Sequence, residues 1–466
     1  MLIFDIETNG LLEDTTQLHC MAVHDTATGK TIGFDPSTVQ NGVRLLIDAL
    51  AQGETIAGHN IIAFDIPALA QLYPNFVVSR EQREQVLDTL ILSRLIYSNL
   101  ETTDLGLMRS GQLPSKLYKS HSLRAWGYRL GEYKGDYGEQ ENAWETYTPE
   151  MLDYCIQDVA VTVKLMERLM RAEYSERAIR LEHEVAWLIA QQERNGFPFD
   201  REGAERLEQA LRARGAVLSA QLTAAVPPIP DKVFVPKRDN KRLGYVKGVP
   251  IQRYKDFNPN SRQQIEYVIR QMHGYHPNNP DLYDADDFMQ HRLKIDDETF
   301  RYIKDDENAP AEVRRLAALM EESLLIGKRL GQLADGKNAW LKEIGADGRI
   351  HGHVITNGTV SGRASHSSPN IAQVPAVGAP YGRECRALFH ADGWTQVGVD
   401  ACGLELRCLA HYMSPYDGGT YAHTILNGDI HTMNQQAAGL PERNQAKTFN
   451  NMEVYKPIEN GEPLSA

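Results

Sequence analysis

The sequence predicts an α/β fold over residues 1–172, a mainly helical region over residues 173–335, and a return to short strands and turns from Gly348. Short β-branched segments bounded by Gly, Asn or Asp open the chain, and Ala-, Leu- and Glu-rich stretches with helical spacing dominate its middle. An apolar segment at residues 396–399 is predicted to be a strand and leads into a further helix. With 466 residues, 42% of them hydrophobic, the chain is long enough for roughly two to four domains.

The first 172 residues alternate between strand and helix patterns. This alternation predicts one α/β domain in which helices cover a sheet. The predicted strands are residues 1–7, 20–24, 31–34 and 55–58, and the predicted helices are residues 43–51, 67–72, 88–97 and 150–171.

The helical region opens with a predicted pair of helices over residues 174–222, interrupted once at residues 195–198. Residues 227–259 combine prolines, glycines and basic residues, and they are predicted to form a loop. The run Asn-Pro-Asn-Ser at residues 258–261 then caps another helix, and helical spacing continues to about Leu333.

Composition excludes several classes of protein. No apolar run approaches the roughly 18 to 20 residues that span a bilayer, and an acid at position 5 precedes any signal-peptide core. We therefore expect no membrane partner. The five cysteines include no CxxC pair, which excludes a disulfide framework and is typical of a reducing cytoplasm.

Charge is divided unevenly along the chain. The formal net charge of −13 argues against a protein that simply coats DNA. Residues 1–172 hold 23 Asp and Glu against 14 Lys and Arg, whereas residues 226–263 hold nine Lys and Arg against three Asp. This division suits a protein that gathers divalent cations at one place and phosphates at another, although solvated surface charge produces the same asymmetry.

A first group of candidate functional residues consists of four acids and a tyrosine. Asp5 and Glu7 lie two apart on the first strand, so their side chains share one face. Asp65 stands at a helix entry, and Tyr154 and Asp158 share one helix face at i, i+4. Taken singly, each acid is more simply explained as a surface charge. Together they could converge on two divalent ions that hold a phosphodiester and activate a water, which Tyr154 would position.

The segments that carry these residues, FDIET at residues 4–8, residues 60–65, and Tyr154-xxx-Asp158, resemble in order the three motifs of the DnaQ-like 3′-to-5′ exonucleases. The resemblance implies a ribonuclease-H-like fold and proofreading of single-stranded 3′ ends. It implies that the four acids bind two Mg²⁺ ions, or Mn²⁺ in their place, and that Tyr154 belongs to the catalytic group.

A second group of candidates lies further along the sequence. The stretch VDACGLELR at residues 399–407 resembles motif A of the family A DNA polymerases. The resemblance implies that Asp400 binds the catalytic metals of a polymerase site and that Glu405 borders the sugar of the incoming nucleotide. Without that resemblance, Asp400 followed by Leu404 and Glu405 would mark an ordinary helix start.

Further segments resemble other parts of the same family. NGTVSGR at residues 357–363 and PNIAQVP at residues 369–375 resemble its primer-template segments, which implies DNA contacts by Arg363, Asn370 and Gln373 that read little sequence. GDIHT at residues 428–432 and RNQAKTF at residues 443–449 resemble its fingers. That likeness implies that the triphosphate is bound by His431, Arg443 and Lys447. Without it, His431 would be a helix cap, and Arg443 and Lys447 would form a solvated helix face.

The resemblance runs from residue 1 to about residue 449 and is greatest to replicative polymerases of short-tailed phages of the T-seven type. It implies DNA replication in the host cell cytoplasm, with primer-template DNA as partner. It divides the chain into an exonuclease (1–172), a helical thumb (173–335) with a basic loop (227–257), part of a palm (336–412), the start of the fingers (413–449) and an unrelated tail (450–466).

The tail is one departure from that family. One turn beyond Lys447 the family has a tyrosine and then a second metal-binding acid pair, whereas Asn451 stands here and Pro457 follows. We therefore expect a complete exonuclease and an incomplete polymerase site, with deoxynucleoside triphosphates bound only where a second fragment completes it. Three alternatives stay open for the chain, namely a stand-alone exonuclease, one subunit of a split polymerase and a non-catalytic DNA-binding remnant. A gene interrupted by an intron also stays open as the origin of the tail.

The short basic loop is the other departure. The T-seven type carries a long thumb insertion that recruits thioredoxin, and this chain has only residues 227–257 there. We expect direct phosphate contact rather than thioredoxin docking, and hence an affinity for DNA that falls with salt. A solvated loop is the alternative. The candidate contacts are Lys237, Arg238, Lys241 and Arg242.

Overall fold

The chain forms two compact units, residues 1–392 and residues 393–466. The computed structural model describes residues 1–140, 142–284, 292–391, 393–401 and 403–428, together with residues 432, 435, 436, 439 and 441. The finer domain boundaries expected from the sequence stay a prediction.

A five-stranded mixed sheet forms the centre of the amino-terminal part. Its strands are β1 (Leu2–Thr8), β2 (Leu18–Asp25), β3 (Lys30–Phe34), β4 (Ile56–Gly58) and β5 (Val86–Asp88). The order across the sheet is β3-β2-β1-β4-β5. β1 pairs antiparallel with β2 and parallel with β4, so it lies at the centre of the sheet.

Helices cover both faces of this sheet. They are α1 (Val39–Ala51), α2 (Asp65–Leu72), α3 (Thr89–Ile96), α4 (Glu101–Arg109), α5 (Leu123–Leu130) and α6 (Pro149–Met170). The α/β prediction is confirmed. α2 begins at Asp65 itself, earlier than predicted, and β5 escaped the sequence analysis because its three residues run directly into α3. Two ordinary helix-start features define the beginning of α6. The Thr148 hydroxyl accepts the Met151 N–H, and Pro149 occupies the first helical position.

The alternation of β1 decides which side chains meet α6. Leu2, Phe4 and Ile6 pack into the core that contains α1 and α2. Ile3 points to the opposite face and packs into the core that contains α6. Because side chains alternate along a strand, Asp5 and Glu7 lie on the same face of β1 as Ile3. Both carboxylates therefore point toward α6.

Residues 173–335 are mainly helical, as predicted. In chain order the elements are α7 (Glu176–Asn195), β6 (Phe197–Pro198), α8 (Arg201–Ala225), β7 (Ile229–Phe234), β8 (Ile251–Lys255), α9 (Arg262–Tyr267), α10 (Asp297–Asp305) and α11 (Ala311–Leu330). The Ser261 hydroxyl caps α9 by accepting the Gln264 N–H, which confirms the predicted helix start. A separate core joins α9, α10 and α11.

The loop predicted at residues 227–259 is instead an antiparallel hairpin, so that prediction was wrong. β7 pairs with β8, and Asn240 bridges Tyr245 nearer the tip. Cross-strand contacts explain the outcome, because the Arg253 guanidinium lies 4.1 Å from the Phe234 ring centroid. We call residues 229–255 the basic hairpin.

The remainder of the first unit contains short elements, which are β9 (Arg349–Ile350), β10 (His353–Ile355), β11 (Ser365–Ser367) and α12 (Gly382–Ala387). β9 pairs with β6, and β10 pairs with β11. One core around Trp340 connects β9 and α12 to α8 and α11.

The second unit contains α13 (Leu404–Asp417) and α14 (Thr420–Asn427). The strand predicted at residues 396–399 is absent from it, and Val397 and Val399 are 80% and 91% exposed. A strand needs a neighbour for its N–H and C=O groups, and no described segment pairs with this one.

No helix in the described part of the chain combines the length and the apolar character that a membrane crossing needs.

Gly58 provides a test of this packing. A Cβ at Gly58 would lie 2.7 Å from the Phe4 carbonyl oxygen and 2.4 Å from Ile61 Cγ2. We expect Gly58→Ala to lower the free energy of unfolding by roughly 1–3 kcal/mol, because β1 and β4 must separate. Gly106→Ala in α4, which meets no atom within 4 Å, is the control and should stabilise by up to about 1 kcal/mol. Urea unfolding of both variants measures this, and equal effects would contradict the packing described.

Candidate active site

Three elements of the first unit bring the predicted acids together. β1 provides Asp5 and Glu7, the first residue of α2 is Asp65, and α6 provides Tyr154 and Asp158. Asp65 and Asp158 are only 4% and 2% exposed, and the two acids on β1 are partly buried. The structure therefore brings the four acids close enough to interact electrostatically, and it places Tyr154 beside Asp158.

The end of β1 is irregular at this point. Glu7 lies opposite Cys20 on β2, and the register then shifts, so that Thr8 lies opposite Leu18. An irregularity of this kind ends regular pairing and redirects the chain, and it is common beside active sites. The Thr8 hydroxyl donates to the Gly10 carbonyl oxygen at 2.8 Å and fixes the turn that follows.

Asp88 holds the segment that leads to Asp65. Its carboxylate accepts the Asn60 N–H at 2.8 Å and the Ile62 N–H at 3.1 Å. Its own backbone N–H donates to Nε2 of His183 on α7 at 2.9 Å. Sequence analysis missed Asp88 and His183, because nothing in the pattern of either residue differs from an ordinary helix cap or helix histidine.

Burial of so many like charges raises the pKa of every acid in the group. Desolvation raises the pKa of Asp5 to about 6 and that of Asp158 to about 7, even though Lys134 opposes both shifts. Burial and then repulsion by Asp5 and Asp158 raise the pKa of Glu7 well above its ordinary value. For Asp65 the causes are burial, Asp5 and Asp88.

Lys134 is a site residue that the sequence did not reveal. Its ammonium forms an ion pair with Oδ2 of Asp158 and lies 4.7 Å from the Tyr154 ring centroid. The pKa of Lys134 is raised, because attraction to Asp158 and then Asp5 outweighs its burial. The other carboxylate oxygen of Asp158, Oδ1, is buried and has no hydrogen-bond partner among the described residues.

Tyr154 is held by aromatic neighbours. Its ring centroid lies 5.7 Å from that of Tyr137 and 5.9 Å from that of Trp144. Burial and the nearby Asp158 raise the pKa of Tyr154 to about 12, so the phenol stays protonated at neutral pH and retains a hydrogen to donate.

Cys155 also faces the acids. Its thiol lies 3.4 Å from the Asp5 carbonyl oxygen and 3.7 Å from Asp5 Oδ2. Ligand atoms of Asp5, Glu7 and Cys155 all lie within 4.8 Å of one another. Sequence analysis treated this cysteine only as one of five scattered thiols.

A cavity of about 750 Å³ adjoins this group of acids. His59, Asn60 and Lys134 line one side of it, and residues 357–360 line another. The Arg94 guanidinium forms no hydrogen bond or salt bridge with the residues the structure describes. Further cations in the wall are Lys119 and Arg124.

The predicted primer-template residues of the first unit lie on turns. The Arg363 N–H donates to the Thr359 hydroxyl at 3.0 Å, and Gly362 has a left-handed φ of 78° that closes this turn. Asn370 caps a short turn by accepting the Gln373 N–H at 3.2 Å. Asn370 and Gln373 both line a second cavity, of about 410 Å³.

The remaining candidates fall in the second unit and in the hairpin. Asp400 is exposed, and Glu405 is the second residue of α13. His431, Arg443 and Lys447 lie outside the described residues. In the basic hairpin the side chains of four exposed residues make no ion pair with any described residue, and these are Lys237, Arg238, Lys241 and Arg242.

The sheet and its buried acids define an RNase H-like domain joined to a second set of domains. The model of the RNase_H superfamily matches residues 2–170, and the model of DNA polymerase family A matches residues 247–460. The fold is also similar to the POL domain of Pol1 from M. smegmatis in complex with DNA primer-template and dNTP. That likeness has a TM-score of 0.60 and 16% sequence identity, and it covers 97% of this chain and 67% of that one.

Two phage proteins resemble almost the whole chain. The DNA-directed DNA polymerases of Escherichia phage T7 and Enterobacteria phage T3 are each 39% identical to it, over 96% of this chain and 74% of the relative. The thermostable DNA polymerase I of Thermus thermophilus is 29% identical over 55% of this chain and 27% of that protein. This chain therefore belongs to the family A DNA polymerases.

Membership of this family confirms the interpretation of the sequence as a DNA-directed DNA polymerase with an RNase H-like exonuclease domain. Enzymes of both families generally use divalent metals, and phage polymerases act in the host cell during replication. The donor set here fits divalent metals, because the group is all carboxylate and the buried Oδ1 of Asp158 lacks a partner among the described residues.

Glu7 provides a pH-dependent test of the crowded charges. Its pKa is raised in the folded protein, so its contribution to stability is present below its ordinary pKa and is lost as the pH rises through the raised value. We expect metal-free Glu7→Gln to melt at a higher temperature than the wild type at pH 8, with the difference shrinking toward pH 4. Calorimetry measures this.

The exposed Glu13→Gln is the matched control and should leave the melting temperature unchanged. Addition of Mg²⁺ should raise the melting temperature of the wild type more than that of Glu7→Gln, because an amide is a poorer ligand. If Glu7→Gln were less stable than the wild type at pH 8, the ionised Glu7 carboxylate would not destabilise the folded protein, and the prediction would be wrong.

Proposed function

We propose that the amino-terminal domain removes nucleotides from single-stranded 3′ ends of DNA and so proofreads the product of the polymerase. The observation that carries this proposal is the convergence of four carboxylates, two buried and two partly buried, and of Tyr154 from β1, α2 and α6. The order of the three motifs and the RNase H-like family match support it.

Two divalent ions would be held by Asp5, Glu7, Asp65 and Asp158, with Mg²⁺ as the physiological ion and Mn²⁺ as a substitute. When bound, such ions activate a water and stabilise the leaving oxygen of a phosphodiester. The raised pKa values of the four acids support this assignment, because bound positive charge offsets the burial that raises all four values and the repulsion that adds to those of Glu7, Asp65 and Asp158.

The chain's own residues have separate tasks. The protonated Tyr154 hydroxyl holds and orients the water by hydrogen bonding, and the packing of its ring against Tyr137 and Trp144 fixes its direction. Lys134 balances the charge of Asp158. Asp88 holds the segment from Asn60 to Asp65 in place through two backbone N–H groups.

The 750 Å³ cavity is the proposed path for the DNA strand. Its cations suit the phosphates of a single strand, and the Arg94 guanidinium is available for one of them. Residues 357–360 belong to the segment that resembles a primer-template contact, and the same cavity reaches Lys134, which pairs with Asp158.

The roles of the polymerase residues rest on the family resemblance. Arg363, Asn370 and Gln373 would contact primer-template DNA, and Asp400 would bind a metal ion beside Glu405 at the nucleotide sugar. The triphosphate would be bound by His431, Arg443 and Lys447. We propose the domain boundaries stated under Sequence analysis for the same reason.

The basic hairpin would grip duplex phosphates directly instead of docking thioredoxin. The four cations proposed as contacts, Lys237, Arg238, Lys241 and Arg242, are exposed and have no ion-pair partner in the described part of the chain. The alignment with the phage T7 enzyme extends over 536 positions, more than the 466 residues of this chain, so that relative carries residues that this chain lacks.

The exonuclease proposal is tested by removing two acids. We expect Asp5→Ala together with Glu7→Ala to abolish Mg²⁺-dependent release of nucleotides from the 3′ end of single-stranded DNA, because two charged ligands are lost. The exposed pair Glu13→Ala and Asp14→Ala is the matched control and should keep the wild-type rate. Degradation of a 3′-labelled oligonucleotide is the measurement, and an active double variant at Asp5 and Glu7 would refute the site.

The hairpin proposal is tested by salt dependence. With Lys237, Arg238, Lys241 and Arg242 changed to Ala, the slope of log affinity against log salt should become shallower by about 0.9 for each lost phosphate contact. The measurement is titration of primer-template duplex at several salt concentrations in an exonuclease-inactive background.

A charge-matched control removes four exposed cations of the exonuclease domain, namely Lys30, Arg44, Arg109 and Arg171, and should leave the slope near that of the parent. An unchanged slope in the hairpin variant would contradict phosphate contact and favour a solvated or protein-docking hairpin.

A further inference from the structure

We propose that Asp5, Glu7 and Cys155 form a three-ligand site for a thiophilic divalent cation such as Zn²⁺ or Cd²⁺. This site shares two carboxylates with the proposed Mg²⁺ site and adds a sulfur ligand. The inference rests on the proposed function, because it concerns the same face of β1, but it assigns Cys155 a role that the exonuclease reaction does not require.

The geometry brings the three ligands together from two elements. Asp5 and Glu7 point from β1 toward α6, and Cys155 points from α6 toward β1. Their ligand atoms lie within 4.8 Å of one another, and the Cys155 sulfur is 3.7 Å from Asp5 Oδ2. Small side-chain rotations would bring all three onto one ion.

A second observation, on Asp158, supports a cation at this place. Oδ1 of Asp158 is buried without a hydrogen-bond partner among the described residues, although its side chain is 2% exposed. Lys134 pairs with the other oxygen only. A buried carboxylate oxygen without a donor is costly, and a cation beside Asp5 and Glu7 would satisfy it.

The chemistry of the ligands separates soft ions from hard ones. Mg²⁺ prefers six oxygen ligands and gains nothing from a thiol. Zn²⁺ binds sulfur and carboxylate oxygen together, and sites with three protein ligands keep one position open. When the ion binds, the S–H bond of Cys155 breaks, its electron pair forms the metal–sulfur bond, and its proton passes to solvent.

This arrangement predicts competition between metals. A thiophilic ion would take Asp5 and Glu7 away from Mg²⁺ and stop the exonuclease. The competing interpretation is that Cys155 only donates a hydrogen bond to Asp5 and positions it. The two interpretations differ in whether a metal–sulfur bond forms.

Cadmium is the probe, because a cadmium–thiolate bond has its own ultraviolet absorption band. The full-length wild type, titrated with CdCl₂, should show a band that saturates and that excess Mg²⁺ diminishes, because both ions need the same carboxylates. Cys155→Ser, which keeps a hydrogen-bond donor but not the sulfur, should lose this Mg²⁺-sensitive band.

The matched control is Cys385→Ser, another buried cysteine, which should keep the band. Cys20→Ser removes the thiol opposite Glu7 and should also keep it. Asp5→Asn retains the sulfur and should raise the Cd²⁺ concentration for half-saturation by roughly tenfold or more, so the proposal stays testable even if Cys155→Ser folds poorly.

The band persisting in Cys155→Ser, its insensitivity to Mg²⁺, or its disappearance in Cys20→Ser alone would each overturn the proposal. Inhibition gives a second measurement, since the Zn²⁺ concentration that halves each variant's own Mg²⁺-supported rate should rise roughly tenfold in Cys155→Ser. A wild-type protein without exonuclease activity but with the Mg²⁺-sensitive band would refute the proposed function and leave this metal site standing.

Discussion

The crowding of four acids around the central strand is the constraint on which the exonuclease domain depends. Asp5 and Glu7 stand on the central strand, and their parity directs them toward α6, where Asp158 lies buried. Loss of solvation raises the pKa values of these acids, and repulsion between like charges raises those of Glu7 and Asp158 further. The domain is therefore built around a charge imbalance that bound cations would relieve.

The surrounding structure holds the acids together against this repulsion. Asp88 fixes the chain before Asp65, and its backbone is in turn held by His183 of α7. Because α7 lies beyond residues 1–172, a helix of the next region supports the site. Lys134 compensates part of the charge. These contacts act through other residues, as the outer partners of metal ligands commonly do.

Sequence pattern indicated which acids lie near one another but not their surroundings. Period-two and period-3.6 spacing placed Asp5 with Glu7 and Tyr154 with Asp158 on shared faces, whereas Asp65 was singled out by its helix entry and the motif resemblance. Lys134 and Cys155 were not, since no local pattern indicates which long side chain returns to a site or which core thiol faces it. The strand predicted at residues 396–399 failed for a related reason, because strand pairing depends on partners distant in sequence.

The basic hairpin illustrates the same limit. Its charge was evident from the residues, whereas its β pairing depends on contacts between residues well separated along the chain, such as that of Arg253 with Phe234. The proposed phosphate contacts of its exposed cations would reconcile a formal charge of −13 with membership of a DNA polymerase family. Local charge, not the net value, decides where phosphate approaches.

Anomalous scattering from crystals soaked in Mn²⁺ tests the central claim most directly. Two anomalous peaks among Asp5, Glu7, Asp65 and Asp158, with Oδ1 of Asp158 bound and Lys134 released from it, are the predicted result. Absence of both peaks at saturating Mn²⁺, with the ion pair between Lys134 and Asp158 intact, would contradict the account.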